Sequence, residues 1–187
     1  MKKIRHALFI FFLIPFVVPF TSFGAEDTIT IGVLASQTGP MTFQGTHIIN
    51  GFTLGLDEVS NRVAGKTIKV IIEDEVMSPA IALTKTQKLV EKDRIDVLMG
   101  PVNAAAAVAM RDYVVQNKVP WIVPLAMPEN LTLPPMANKY TFRLQVIPSQ
   151  ANFPFAEWLY KRRGYRRMVG FGIDFPAGRD SVAAFKK

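Results

Sequence analysis

No cysteine occurs in the 187 residues. Disulfides, thiol catalysis and Cys-ligated metal sites are excluded together, as is the lipid-bearing cysteine that tethers a bacterial lipoprotein. Histidine is scarce, with His6 and His47 alone, and a lone His early in a helix reads as a solvated or capping residue rather than a base or metal ligand. Neither GxGxxG nor the Walker A spacing occurs. The loop SQTGPMTFQG (36–45) offers Gly39 and Gly45 at other intervals, which argues against a dinucleotide or nucleoside triphosphate cofactor. No apolar run approaches the ~20 residues that span a bilayer: the one long stretch, residues 7–20, is broken by Pro15 and Pro19.

That stretch follows the cationic MKKIRH and precedes TSFGA and the polar AED, the pattern of a cleaved secretory signal peptide. Cleavage after Gly24 places Ser22 and Gly24 at the small-residue positions. The expectation is a periplasmic protein with no stable membrane insertion after cleavage. Losing Lys2, Lys3 and Arg5 lowers the formal net charge from +7 to +4. Much of the remaining positive charge sits in KRRGYRR (161–167), where a helix should end. Cations there complement the negative end of the helix dipole, so no nucleic-acid partner is inferred.

From Thr28 onward short apolar strands alternate with segments of period 3.6. TITIGVLA (28–35), TIKVIIED (67–74), DVLMG (96–100) and VPWIVP (119–124) read as strands. Ile48, Phe52, Leu56, Val59 and Val63 form one helical stripe. Ser78 and Pro79 cap and open a second helix, and residues 104–117 form a third. Near-continuous apolar strands separated by helices predict an α/β fold, a parallel sheet with helices on both faces. The proline-rich 128–140 breaks the pattern. YTFRLQVI (140–147), a helix over roughly 149–163, RMVGFGID (167–174) as a strand and a helix from Arg179 then restart it as a second unit.

Ligands of an open parallel sheet bind beyond the carboxyl ends of its strands, which selects three loops: 36–45, 101–104 and 124–130. The second opens a helix whose first N–H groups, around Asn103, Ala104 and Ala105, should be free to attract a carboxylate. Glu73, Asp74 and Glu75 crowd a strand end, but adjacent residues point in different directions, so they read as the start of a solvated loop rather than a metal or acid/base site. With no phosphate loop and no paired nucleophile and base, the chain reads as non-enzymatic, without metal or cofactor.

Taken in order, ITIGVLASQTGP (29–40), NGFTLGLDEVSN (50–61), residues 66–103, VPWIVPLAMPENLT (119–132), YTFRLQVIPSQ (140–150) and MVGFGIDFPAGRDSVAAFKK (168–187) resemble the branched-chain amino acid (Leu/Ile/Val) type of periplasmic solute-binding protein. The resemblance implies the type I periplasmic binding fold, in which two lobes close about a hinge on a small ligand and deliver it to an ABC transporter permease. It divides the chain into a signal peptide (1–24), an incomplete first lobe (25–147) and the start of a second (148–187). Because members of the family are much longer, the chain is read as an amino-terminal half. Alternatives are a ligand sensor of the same fold feeding a regulator, or a non-functional remnant. Carried over position by position, the resemblance implies a ligand site at Phe43, Gln44, Val102, Asn103, Ala104, Ala105, Leu125, Ala126, Met127, Phe175 and Ala177. Amino-acid binders commonly carry hydroxyls where Ala104 and Met127 stand, which favours a carboxylate with an apolar or aromatic body over an α-amino acid.

Overall fold

The computed structural model describes residues 27–186; the signal peptide assigned to residues 1–24 lies outside them. Strand β1 (Thr28–Ala35) leads to α1 (Thr42–Glu58), a short β2 (Arg62–Val63) and β3 (Lys66–Asp74). Next come α2 (Pro79–Gln87), extended by a wider π turn over Lys88–Lys92, then β4 (Val97–Met99), α3 (Ala104–Gln116) and β5 (Trp121–Val123). A 3-10 turn (Glu129–Leu131), β6 (Thr141–Arg143), α4 (Pro148–Arg162) and α5 (Pro176–Phe185) complete the described chain.

The strands form one sheet in the order β2-β3-β1-β4-β5-β6. Every neighbouring pair is parallel except the β2–β3 hairpin. Strand β1 lies between β3 and β4, so the chain winds outward in both directions from it, and the gap between the ends of β1 and β4 is the switch point.

Alternation along β1 explains the two covered faces. Val33 and Ala35 pack with Met99 and with Ile48, Ile49 and Phe52 of α1, while Leu34 points the other way into a core with Ala82, Leu89, Leu98, Met110, Val114 and Trp121. Trp121, fully buried, donates its Nε1–H to Gly100 O at 2.6 Å. Local capping is as the sequence dictates: Ser78 Oγ accepts from Ile81 N at 3.4 Å at the start of α2, and Asn103 Oδ1 accepts from Ala105 N at 2.9 Å at the start of α3.

Several expectations are corrected. The stripe through Val59 and Val63 is not one helix. Ser60, Asn61 and Ala64 take left-handed backbone with φ of 51, 53 and 52°, and Gly65 with φ 80° completes a reversal. Val63 thereby pairs with Lys66 in the hairpin. Helix α1 begins at Thr42, inside the expected loop 36–45. Helix α5 likewise begins at Pro176 rather than Arg179, because proline suits the first helical turn. The strand expected over 167–174 does not form. Val169, Phe171 and Ile173 are 81, 94 and 73% exposed, and among the described residues no strand lies alongside to complete a ladder.

Candidate functional site

A parallel sheet sends all its strand ends to one edge, and the helix that follows each strand begins there. At that edge lies a cleft of about 710 Å³. Its wall includes Met41 and Gln44 at the start of α1, Met77 and Pro79 at the start of α2, and Val102, Asn103, Ala104 and Ala105 at the start of α3. Leu125, Ala126 and Met127 follow β5, and Ile173, Phe175 and Ala177 bring in the start of α5. Helix N-termini carry unsatisfied N–H groups and partial positive charge, so an anion is favoured here although no lysine or arginine among the described residues lines the cleft.

Two glycines let these helices approach so closely. A Cβ at Gly45 would stand 2.0 Å from Ser36 O, and one at Gly178 would stand 2.0 Å from Ile173 O. The loops are pinned by carboxylates. Asp74 accepts from Gln37 N at 3.0 Å, Thr38 Oγ1 at 2.7 Å and Val76 N at 2.9 Å. Burial works against its charge, but the bonds from Thr38, Val76 and Gln37 outweigh it and hold the carboxyl below its ordinary range. Glu73 pairs with Lys85 and Lys88, which lower its pKa. Glu129 binds both Ser149 N and Ser149 Oγ through its carboxylate, and its own N–H donates to Asp180 Oδ2 at 3.2 Å. This ties the turn after β5 to the starts of both α4 and α5, and so fixes the α5 wall of the cleft.

Glu75 overturns the reading of residues 73–75 as a solvated loop, since it is fully buried. Its Oε1 accepts from Ser36 Oγ at 2.6 Å, Val102 N at 3.0 Å and Asn103 N at 3.1 Å, while Oε2 is buried without a partner. Burial raises its pKa more than these bonds lower it. The chain therefore supplies its own carboxyl to part of the α3 N-terminus. The Asn103 N–H expected to face a ligand is taken by Glu75, and the Ala105 N–H is taken by the Asn103 side chain. The Ala104 N–H is left without an acceptor among the described residues.

Of the residues singled out from sequence, the structure gathers all but one around this cleft. Phe43 lies outside it, 73% exposed, with its ring edge-on to His47 at 4.3 Å between centroids. The helix turns Phe43 outward and its neighbour Gln44 inward. Pro40, Met41, Met77, Pro79 and Ile173 also line the cleft and were not singled out. Pro40 and Met41 sat within a selected loop, and Pro79 opens a helix at the same sheet edge. Met77 and Ile173 carried no local signal.

Residues 28–187 match the family model described as periplasmic binding protein. Among curated relatives, the Leu/Ile/Val-binding protein BraC3 of Rhizobium johnstonii is 28% identical over 116 residues, covering 61% of this chain and 31% of its own length. An ABC transporter substrate-binding protein from Sphaerobacter thermophilus superposes with a TM-score of 0.78 and 38% identity, over 85% of this chain and 43% of that one. A solute-binding protein of an ABC transporter from Rhodopseudomonas palustris BisB5, in complex with 3,4-dihydroxybenzoic acid, gives 0.79 and 29%, over 86% and 43%. The chain spans 31 to 44% of the length of the curated relatives it matches.

Proposed function

The chain belongs to the periplasmic binding protein family, and from that premise we propose that it contributes the carboxylate-holding wall of the solute-binding component of an ABC transporter. In this reading the signal peptide over residues 1–24 directs export to the periplasm. A first lobe runs to Ile147, a second begins at Pro148, and the ligand is delivered to a membrane permease. No chemistry is performed on the ligand.

The composition of the cleft wall carries the choice of ligand. Among the described residues it holds no charged side chain and no hydroxyl, while the Ala104 N–H and the helix N-termini around it favour an anionic group. An α-amino acid brings an ammonium group with three donors, which needs acceptors that the wall's apolar side chains do not offer. A carboxylate on an apolar or aromatic body places its charge at the N-termini and its body against Met41, Leu125, Met127 and Phe175. The aromatic acid bound by the R. palustris relative supports the same class.

Calorimetric titration of the protein isolated from the periplasm tests this, with benzoate and hydroxybenzoates set against leucine and isoleucine. The aryl acids should bind and the amino acids should be at least about tenfold weaker, since a site rejects a group whose buried charge it leaves unpaired. Tight leucine binding with no response to aryl acids would overturn the assignment.

A further inference from the structure

Among the described residues, two with hydrogen-bonding side chains line the cleft, Gln44 and Asn103. Asn103 is committed at both ends: Oδ1 accepts from Ala105 N at 2.9 Å and Nδ2 donates to Met77 O at 3.1 Å. Gln44 is committed at neither. Among the described residues its Oε1 is buried and accepts from nothing, and its amide nitrogen has no acceptor. Buried polar side-chain atoms are seldom left unpaired, and an exception calls for a reason.

We propose that Gln44 is a specificity-determining residue that reads a hydroxyl substituent on the ring of an aryl carboxylate, a refinement that rests on the ligand class proposed above. The position follows from the helix. Thr42 starts α1, Gln44 falls in its first turn, and the close approach permitted by Gly45 presses that turn against Ser36 at the switch point. One wall of the cleft thus offers a neutral amide among apolar side chains, on a different helix from the Ala104 N–H that takes the carboxylate. Oε1 has no open surface as the side chain stands, so the amide must turn about its last torsion for a hydroxyl to donate its one proton to Oε1 while accepting from the amide N–H. An ammonium has three protons to place and finds one side-chain acceptor. An ether has no proton and leaves Oε1 as it was.

Calorimetry on the periplasmic protein with benzoate, 3-hydroxybenzoate, 4-hydroxybenzoate and 4-methoxybenzoate tests the inference. At least one hydroxybenzoate should bind about tenfold or more tightly than benzoate, and methoxybenzoate should show no such gain. Gln44→Met keeps the length of the side chain and its suitability for a helix, and should bring the hydroxybenzoates to within about threefold of benzoate measured on the same variant. Wild-type protein that binds all four acids alike would overturn the role of Gln44 and leave the ligand class standing. Equal weakening of every acid in the variant would show a packing role only and overturn it too. Failure of every aryl acid to bind would remove the ligand class and the inference with it.

Discussion

Three donors converge on one oxygen of Glu75, from β1's trailing residue Ser36 and from the backbone of Val102 and Asn103. Glu75→Ala leaves all three buried without an acceptor, and each such loss costs about 1 kcal/mol or more. Chemical denaturation should therefore show a loss of about 3 kcal/mol. Glu75→Gln retains the accepting oxygen and should stay within about 1 kcal/mol of wild type. The two acidic neighbours should respond to pH in opposite senses. Glu73 has a lowered pKa, so the stability it contributes is present above its ordinary 4.5 and is lost as pH falls through the folded value. The raised pKa of Glu75 makes its contribution full below 4.5 and diminishing as pH rises through the folded value. Glu73→Gln should flatten the acid limb of a stability profile, whereas Glu75→Gln should flatten the decline above 4.5. An unchanged profile in both variants would refute the assignment. None of this was legible locally, because EDE reads as a polar loop until partners 27, 28 and 39 residues away are in place.

Helices α1 and α5 enter the cleft by the same device, a glycine in the first turn set against a backbone carbonyl of the preceding segment. Gly45→Ala and Gly178→Ala each force a Cβ onto a backbone oxygen, an overpacking that costs about 1–3 kcal/mol. Gly178→Ala should also weaken ligand binding, because it moves the turn carrying Phe175 and Ala177; thermal melts and calorimetry on the same sample separate the two effects. The elements with short-range causes were legible in the sequence. β1 spans the predicted residues, and the Ser78 cap sits at the helix start that Ser78 and Pro79 mark in the sequence. Strands β4 and β5 come out two and three residues shorter than expected, one or two at each end, the usual uncertainty there, whereas β6 keeps only Thr141–Arg143 of the expected 140–147. Where sequence pattern misled, a backbone or a partner decided the outcome. Left-handed residues 60 and 61 turn the chain away after α1 and residue 64 turns the hairpin, whatever Val59 and Val63 suggest, and residues 167–174 have strand composition but no ladder among the described residues. Of the cations of 161–167, Arg166 behaves as expected of a helix end: its Nη1 donates to Tyr160 O at 2.8 Å and to Tyr165 O at 3.2 Å just after α4.

Across the whole molecule, parallel winding from β1 brings the starts of α1, α2 and α3 to one edge, and the Glu129 latch holds the start of α5 against them. The fold and the general place of the cleft were thus readable from strand and helix order. Which residue of the Phe43–Gln44 pair faces inward depended on where α1 begins, and the sequence pattern placed that start too late. We propose that a small aryl carboxylate is held at this convergence, with its charge at Ala104 and its body between the α1 and α5 walls. Amide chemical shifts of the isotopically labelled protein, followed while 4-hydroxybenzoate is added, test it most directly. Saturable shifts are expected at Gln44, Ala104, Met127 and Ala177, with the α4–α5 groove around Leu159 and Val169 unmoved. Shifts confined to that groove, or cleft amides that respond to leucine and not to the aryl acid, would contradict it.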